Sequence, residues 1–369
     1  MTILSLIVVM SAVSCTCLAD KDPPVTKYSP DVVIYRGTYP GWPWIDRTTS
    51  GRIVTVWREG TAHHYSATGK ILLSASVDGG RTWSKADTIV DTPEVDDRNV
   101  AITCLTENDW LICFNSHSKD DVSRVWTCRS KDRGKSWSKC AKVCDLDART
   151  RAAAIRLTSG ELVLPMYRAP GDQSLAALSA DDGDSWSVVE ISNGDGFIGD
   201  EWDVAELPDG RLLGIIRNSW PNNDKKNVDP VNRGWFYETQ SRDRGRTWTQ
   251  PVRTNLRDTR STSPAQVFLH HGRPVVLYAD ARMVSVAMAV TDDPTFVNWE
   301  VESRLHCYRY RKDDQPIVDG GYPVSVEVSD SRRLIVDYAH DGDFRAIVGY
   351  YVDLPNNWKP PGSKTEVAR

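Results

Sequence analysis

"SASVDGGRTWS", from Ser74 to Ser84, is the stretch whose reading decides the fold. Its kernel, S-x-D-x-G-x-[ST]-W, returns in "SKDRGKSWS" from Ser130, "SADDGDSWS" from Ser179 and "SRDRGRTWT" from Ser241. A degenerate fifth copy, "TDDPTFVNW", runs from Thr291 to Trp299. Measured from Ser76, successive copies begin 54, 49, 62 and 50 residues apart. Repeats of that period mean stacked supersecondary units. The box has the chemistry of a turn: Asp accepts backbone N–H bonds, Gly supplies positive φ, and Ser or Thr adds a hydroxyl bond. The Trp then buries a large ring against a neighbouring sheet. Asp78, Asp132, Asp181 and Asp243 are therefore expected to hold turns, and Trp83, Trp137, Trp186 and Trp248 to anchor packing. One active site needs one nucleophile, whereas many blades need many similar turns.

Between the boxes the chain reads as short strands: "GRIVTVW", "DWLICF", "ELVLPMY", "RLLGIIR", "PVVLYA" and "RLIVDY". Each is β-rich and follows a turn signal. Six such strands in units of about fifty residues predict an all-β fold, a six-bladed β-propeller with four strands per blade. The expected organisation is a leader over 1–19 and one propeller domain over 20–369. The 369 residues have 40% hydrophobic content, enough for a packed core, and a formal charge of −5. The 45 basic residues divide into 31 Arg and 14 Lys, a bias that suits two-pronged anion recognition. With no basic run, nucleic acid is not an expected partner.

"MTILSLIVVMSAVSCTCLAD" holds an apolar stretch from Ile3 to Val13, too short for a membrane span. It reads as a secretory signal cleaved after Ala19, giving a secreted or periplasmic protein. "AVSC" at Cys15 fits a lipoprotein signal less well. Six cysteines remain: Cys104, Cys113, Cys128, Cys140, Cys144 and Cys307. An even number permits disulfides, and Cys104 and Cys113 flank a turn where they could pair across a hairpin. No zinc spacing and no cofactor motif is present.

The boxes resemble the Asp-boxes of the sialidase superfamily, and the resemblance covers nearly the whole chain beyond the leader. It implies that the boxes lie at the outer rim, between the third and fourth strands of each blade. The active site then lies at the centre, where the inner strands begin. Those positions read "YPGWPWI" (followed by "WREGTAHH"), "DDRNVAI", "DARTRAAAI", "GDEWDVAEL" and "DGGYPVSV", and the fifth blade ends its second strand with "YADARMVSV". On the resemblance, Glu201 is the base beside the nucleophile, Arg217 and Arg282 clamp a substrate carboxylate, and Tyr322 is the nucleophile. Such enzymes use Tyr instead of a carboxylate. A substrate carboxylate on the anomeric carbon would repel a second carboxylate but not a neutral phenol. Glu supplies the base that removes the phenol proton, and arginines hold the carboxylate by paired bonds.

Two positions depart from the family. "GWP" stands where an Arg-Ile-Pro stretch belongs, so Gly41 replaces the first clamp arginine. Arg36 and Arg58 are first-blade alternatives, Arg98 and Arg151 can bring cations from blades two and three, and Arg149 lies beside them. Arg58 can also pair with Glu59. The family's acid/base Asp is replaced by "REGTAHHYSATGK", with His63 and His64. Neighbours on an extended segment face opposite ways, so one histidine is expected to face the pocket, and His64 is the choice. Trp42 and Trp202 could stack on a sugar.

The expected function is a secreted sialidase-like exo-glycosidase acting on glycans that end in an acidic sugar. The departures leave open a different acidic sugar, a glycan-binding propeller without catalysis, or a lyase or hydrolase of uronic-acid polysaccharides.

Overall fold

The computed structural model describes residues 30–169, 173–193, 197, 199–218, 234–257, 263–280, 285–307 and 319–358. The leader over 1–19, Cys15 and Arg282 lie outside them. The described residues form six antiparallel sheets and no helix.

Blade one comprises Tyr39–Arg47, Ile53–Gly60, Lys70–Ser76 and Asp87–Val90. Blade two comprises Asp96–Cys104, Trp110–His117, Ser123–Ser130 and Ala141–Lys142. Blade three has a broken inner strand, Ala148–Thr150 and Ile155–Arg156, then Leu162–Arg168, Gln173–Ser179 and Ser187–Glu190. Blade four is Gly199–Glu206, Leu212–Asn218, Trp235–Ser241 and Val252–Arg257. Blade five is Gln266–His270, Arg273–Asp280, Ser285–Val290 and Glu300–Cys307. Blade six also has a broken inner strand, Asp319–Gly320 and Val324–Ser329, followed by Arg332–Asp341 and Phe344–Asp353. Its outer strand is Val32–Arg36, from the other end of the chain, so the ring closes by mixing both ends in one sheet.

Blades stack face to face, so a middle strand is buried on both sides. Ile53–Gly60 is buried at every position, which is why its sequence is apolar up to Arg58 apart from Thr55, whose hydroxyl donates to the Trp44 carbonyl. One core cluster joins blades six, one and two through Tyr338, Trp42, Trp57, Ile102 and Phe114.

Each box follows a third strand, as the repeat phase predicts. Asp78 Oδ1 accepts from the Ser76 hydroxyl at 2.8 Å and the Thr82 amide at 2.9 Å, and Oδ2 from the Thr82 hydroxyl at 2.6 Å. These bonds hold the Asp78 carboxyl well below its ordinary range. Asp132, Asp181 and Asp243 repeat the same bonds. Gly80 has φ +87°, left-handed backbone that favours glycine, and it packs closely against the Leu334 side chain.

The cysteine expectation is corrected. Cys104 pairs in register with Trp110 and Cys113 with Ala101, three residues out of step, and both thiols are free. The disulfide instead joins Cys128 on the third strand of blade two to Cys140 beyond its box.

Candidate active site

Three inner strands carry a β-bulge where they enter the centre. In blade four the register passes from Gly199↔Asn218 to Trp202↔Ile216. Asp200 and Glu201 therefore face the single residue Arg217, the two-against-one arrangement of a bulge. In blades one and two the corresponding shifts fall between Gly41 and Trp44 and between Arg98 and Ala101. Trp42 at φ 51° and Asn99 at φ 52° take left-handed backbone there. Strain of this kind collects where side chains are re-aimed toward a site, and both residues line a central cavity of about 590 Å³.

The cavity floor is one charged cluster. Arg217 donates from Nε to Asp200 Oδ1 at 2.8 Å and from Nη2 to Oδ2 at 2.5 Å. Its Nη1 lies 2.5 Å from Glu201 Oε2 and 3.3 Å from the Tyr322 hydroxyl. That hydroxyl donates to Glu201 Oε2 at 3.4 Å. Tyr322 and Glu201 are buried, and both still line the cavity. Burial opposes the Arg217 charge, but Asp200 and Glu201 outweigh it and hold its pKa well above the ordinary value. Tyr322 sits in the gap of the broken blade-six strand, just after Gly321 at φ 87°. Asp337 Oδ1 accepts its backbone amide at 2.8 Å. A break in the ladder frees the side chain to turn inward, and the Asp337 bond replaces the lost pairing.

The remaining arginines divide in two. Arg98 lines the cavity, with its guanidinium 4.2 Å from the centre of the Trp42 ring. Arg149 also lines it, bonded to Ser123 and paired with Asp121 at 3.3 Å. Arg58 sits behind the wall, wholly buried and bonded two-pronged to Asp96 at 2.8 and 2.9 Å. Its expected pairing with Glu59 is replaced: Glu59 accepts the Thr38 and Tyr39 amides instead. Arg151 is also buried, beneath the site, 5.1 Å from the centre of the Tyr322 ring. Among the described residues it donates to the carbonyls of Pro43 and Tyr322 alone, and its Nε and Nη1 have no partner. Arg36 lies on the outer strand against Phe344, far from the floor. Trp202 packs in the core, with its indole N–H bonded to the Met166 and Leu175 carbonyls, and offers no sugar face.

Both histidines line the cavity, against the expectation of one. Residues 61–64 form a bend, so strand alternation does not apply. His64 is exposed, and its backbone carbonyl accepts from Arg58. His63 carries the built contact: its Nδ1 lies 2.7 Å from Asp319 Oδ2. Asp319 also accepts from the Tyr338 hydroxyl at 3.1 Å and from the Tyr39 hydroxyl. Asp200 and Asp319 went unmarked in the sequence, although both lie inside the quoted inner-strand stretches. Asp200 precedes Glu201 directly, and only the bulge shows that both face Arg217.

A family model described as a BNR repeat-like domain matches residues 51–332. No curated protein sequence matches the chain. Among solved structures, a protein of unknown function from Dyadobacter fermentans shares 17% identity over 88% of this chain and 97% of its own, with a TM-score of 0.72. The NanB sialidase of Streptococcus pneumoniae, as a K499G mutant, shares 12% identity over 89% of this chain and 71% of its own, TM-score 0.70. The leech intramolecular trans-sialidase shares 13% over 89% and 70%, TM-score 0.63. At these identities the likeness is one of fold. The chain belongs to the BNR repeat-like domain family, as a six-bladed propeller of sialidase-like architecture.

Proposed function

We propose that this propeller is an exo-glycosidase that removes a terminal acidic sugar from a glycan. One observation carries the reading: the phenol of Tyr322 shares the cavity floor with Glu201 and Arg217, within 3.4 and 3.3 Å. The Tyr322 oxygen attacks the anomeric carbon as its proton passes to Glu201. Arg217, with Arg282 from blade five, receives the substrate carboxylate. Arg217 already holds Asp200 and Glu201, so the substrate meets a cation oriented in advance. Arg98 replaces the cation that Gly41 does not supply, and Arg58 keeps that wall in place by holding Asp96, which Arg98 also touches at 3.4 Å. The Cys128–Cys140 disulfide supports export to an oxidising compartment through the leader over 1–19. A sialic acid, another nonulosonic acid or a uronic acid meets the requirement for a carboxylate.

The test is hydrolysis of a panel of sialosides and uronides by wild type and by Tyr322→Phe. Wild type is expected to release free sugar, and the variant to lose at least about 10³-fold in kcat. Equal turnover by both proteins refutes the nucleophile. Binding without turnover makes the propeller a glycan reader, and an unsaturated uronide product makes it a lyase.

A further inference from the structure

The reaction just proposed needs an acid to protonate the departing sugar oxygen, and neither Glu201 nor Tyr322 is free to provide it. From the His63–Asp319 contact we infer that His63 is the general acid/base of this site, with Asp319 as its positioning residue. The inference rests on the glycosidase reading and adds the second half of its chemistry.

Three features of the pair support it. His63 reaches the cavity from a loop of blade one, while Asp319 stands on blade six, three residues before Tyr322. The dyad and the nucleophile therefore share one short stretch of backbone. Asp319 is buried and is held by two tyrosine hydroxyls as well as His63, so its carboxylate is fixed in place. Its bond to Nδ1 sets the tautomer of the ring and leaves Nε2 as the nitrogen for the cavity. The His63 side chain is 37% exposed, open enough to meet a substrate, and packs edge-on against Trp42 at 5.1 Å. Among the described residues, no carboxylate holds His64 in this way.

The steps balance. As the Tyr322 oxygen bonds to the anomeric carbon, the bond from that carbon to the leaving oxygen breaks. The Tyr322 proton goes to Glu201, and the imidazolium N–H of His63 goes to the leaving oxygen. Neutral His63 then takes a proton from water as the water oxygen bonds to the anomeric carbon. The tyrosyl bond breaks, and the phenol oxygen recovers its proton from Glu201. His63 returns to the imidazolium form and no other reactant is needed. The charged and titratable groups around His63 are Asp319, Tyr39, His64, Arg98 and His340.

The experiment compares kcat/KM, which reports the first step and not the shared hydrolysis of the tyrosyl intermediate, for an alkyl glycoside and for a nitrophenyl glycoside of the same acidic sugar. An alcohol must be protonated to leave, whereas an acidic phenol leaves unaided. His63→Ala is expected to slow the alkyl glycoside about 10²- to 10⁴-fold. The first step on the nitrophenyl substrate should change little, and the basic limb of the pH profile should disappear. His63→Gln, which keeps a polar side chain of similar size, should behave alike if a folding defect is not the cause. Asp319→Asn should lower kcat and shift that limb without changing KM to the same degree. His64→Ala should affect both substrates by one common factor. Equal slowing of both substrates in His63→Ala, with the basic limb intact, overturns the assignment. If that occurs while Tyr322→Phe is inactive, the nucleophile stands and only the dyad falls. If wild type hydrolyses neither substrate, the glycosidase reading fails first.

Discussion

Arg217 holds two carboxylates and a phenol in one buried place. Without it, Asp200 and Glu201 would be like charges side by side, stripped of the guanidinium that bonds to both. Removing one partner of a buried ion pair costs about 3–5 kcal/mol. Arg217→Met is therefore expected to lower unfolding stability by about that much in chemical denaturation, beyond any effect on turnover. A loss below about 1 kcal/mol would show that the cluster is solvated. Arg151 presents the opposite case, a buried cation beneath Tyr322 with two nitrogens unpartnered among the described residues. Its charge favours the phenolate that Tyr322 becomes as it reacts. That Tyr322, Glu201 and Arg217 meet at one cavity was legible in the sequence, because the boxes fix the blade phase. His63 was not, because strand alternation was applied to a segment that bends.

Polar side chains on the inner strands tie each blade to the next. Asp46 Oδ2 accepts the Cys104 amide of blade two at 2.6 Å. Thr103 donates to the Ala154 carbonyl of blade three at 2.5 Å. Asp203 Oδ2 accepts the Val267 amide of blade five at 2.9 Å, while Oδ1 accepts Val204. Gln266 exchanges bonds with Ser325 of blade six at 3.0 and 2.7 Å. Such residues interrupt the apolar pattern of a strand and look like errors until the neighbouring blade is in view. An Asn at position 203 has one acceptor oxygen where two amides need acceptors. Asp203→Asn should destabilise by about 1–3 kcal/mol, the cost of one unsatisfied buried donor, measured by urea unfolding. An unchanged midpoint would mean that the blade four–five contact is redundant. The bulges belong to the same category. One extra residue per strand leaves no mark in composition, yet it decides that Asp200 and Glu201 share Arg217.

The ring closes between blades six and one, and the candidate site lies against that seam. Links across it include the Val32–Arg36 strand, the contacts of Asp319 with Tyr39 and His63, the bond from Arg47 to the Glu327 carbonyl, and the bond from His340 Nε2 to the Pro40 carbonyl at 2.7 Å. Burial pushes His340 down to about 4. An unfolded histidine titrates near 6.5, so the folded state holds this proton more weakly. Its contribution to stability is complete above about pH 6.5 and is lost as pH falls through about 4. At about 1.36 kcal/mol per pKa unit, the loss can reach about 3 kcal/mol. His340→Gln keeps a donor for Pro40 but does not titrate. Thermal melts between pH 7 and pH 4 should be flatter for this variant than for wild type, and parallel curves would remove His340 from the acid response. The repeat period announced the six blades in the sequence, but the seam was hidden, because closure pairs residues some three hundred positions apart.

The nucleophile can be identified directly by trapping. Wild type would be treated with a derivative of whichever acidic sugar it hydrolyses that carries one fluorine on the anomeric carbon as leaving group and a second on the neighbouring carbon, then digested and mapped by mass spectrometry. A single glycosyl adduct on the peptide holding Tyr322, absent from Tyr322→Phe, is the predicted outcome. An adduct on any other residue, or turnover that inverts the anomeric centre with no adduct, would place the chemistry elsewhere.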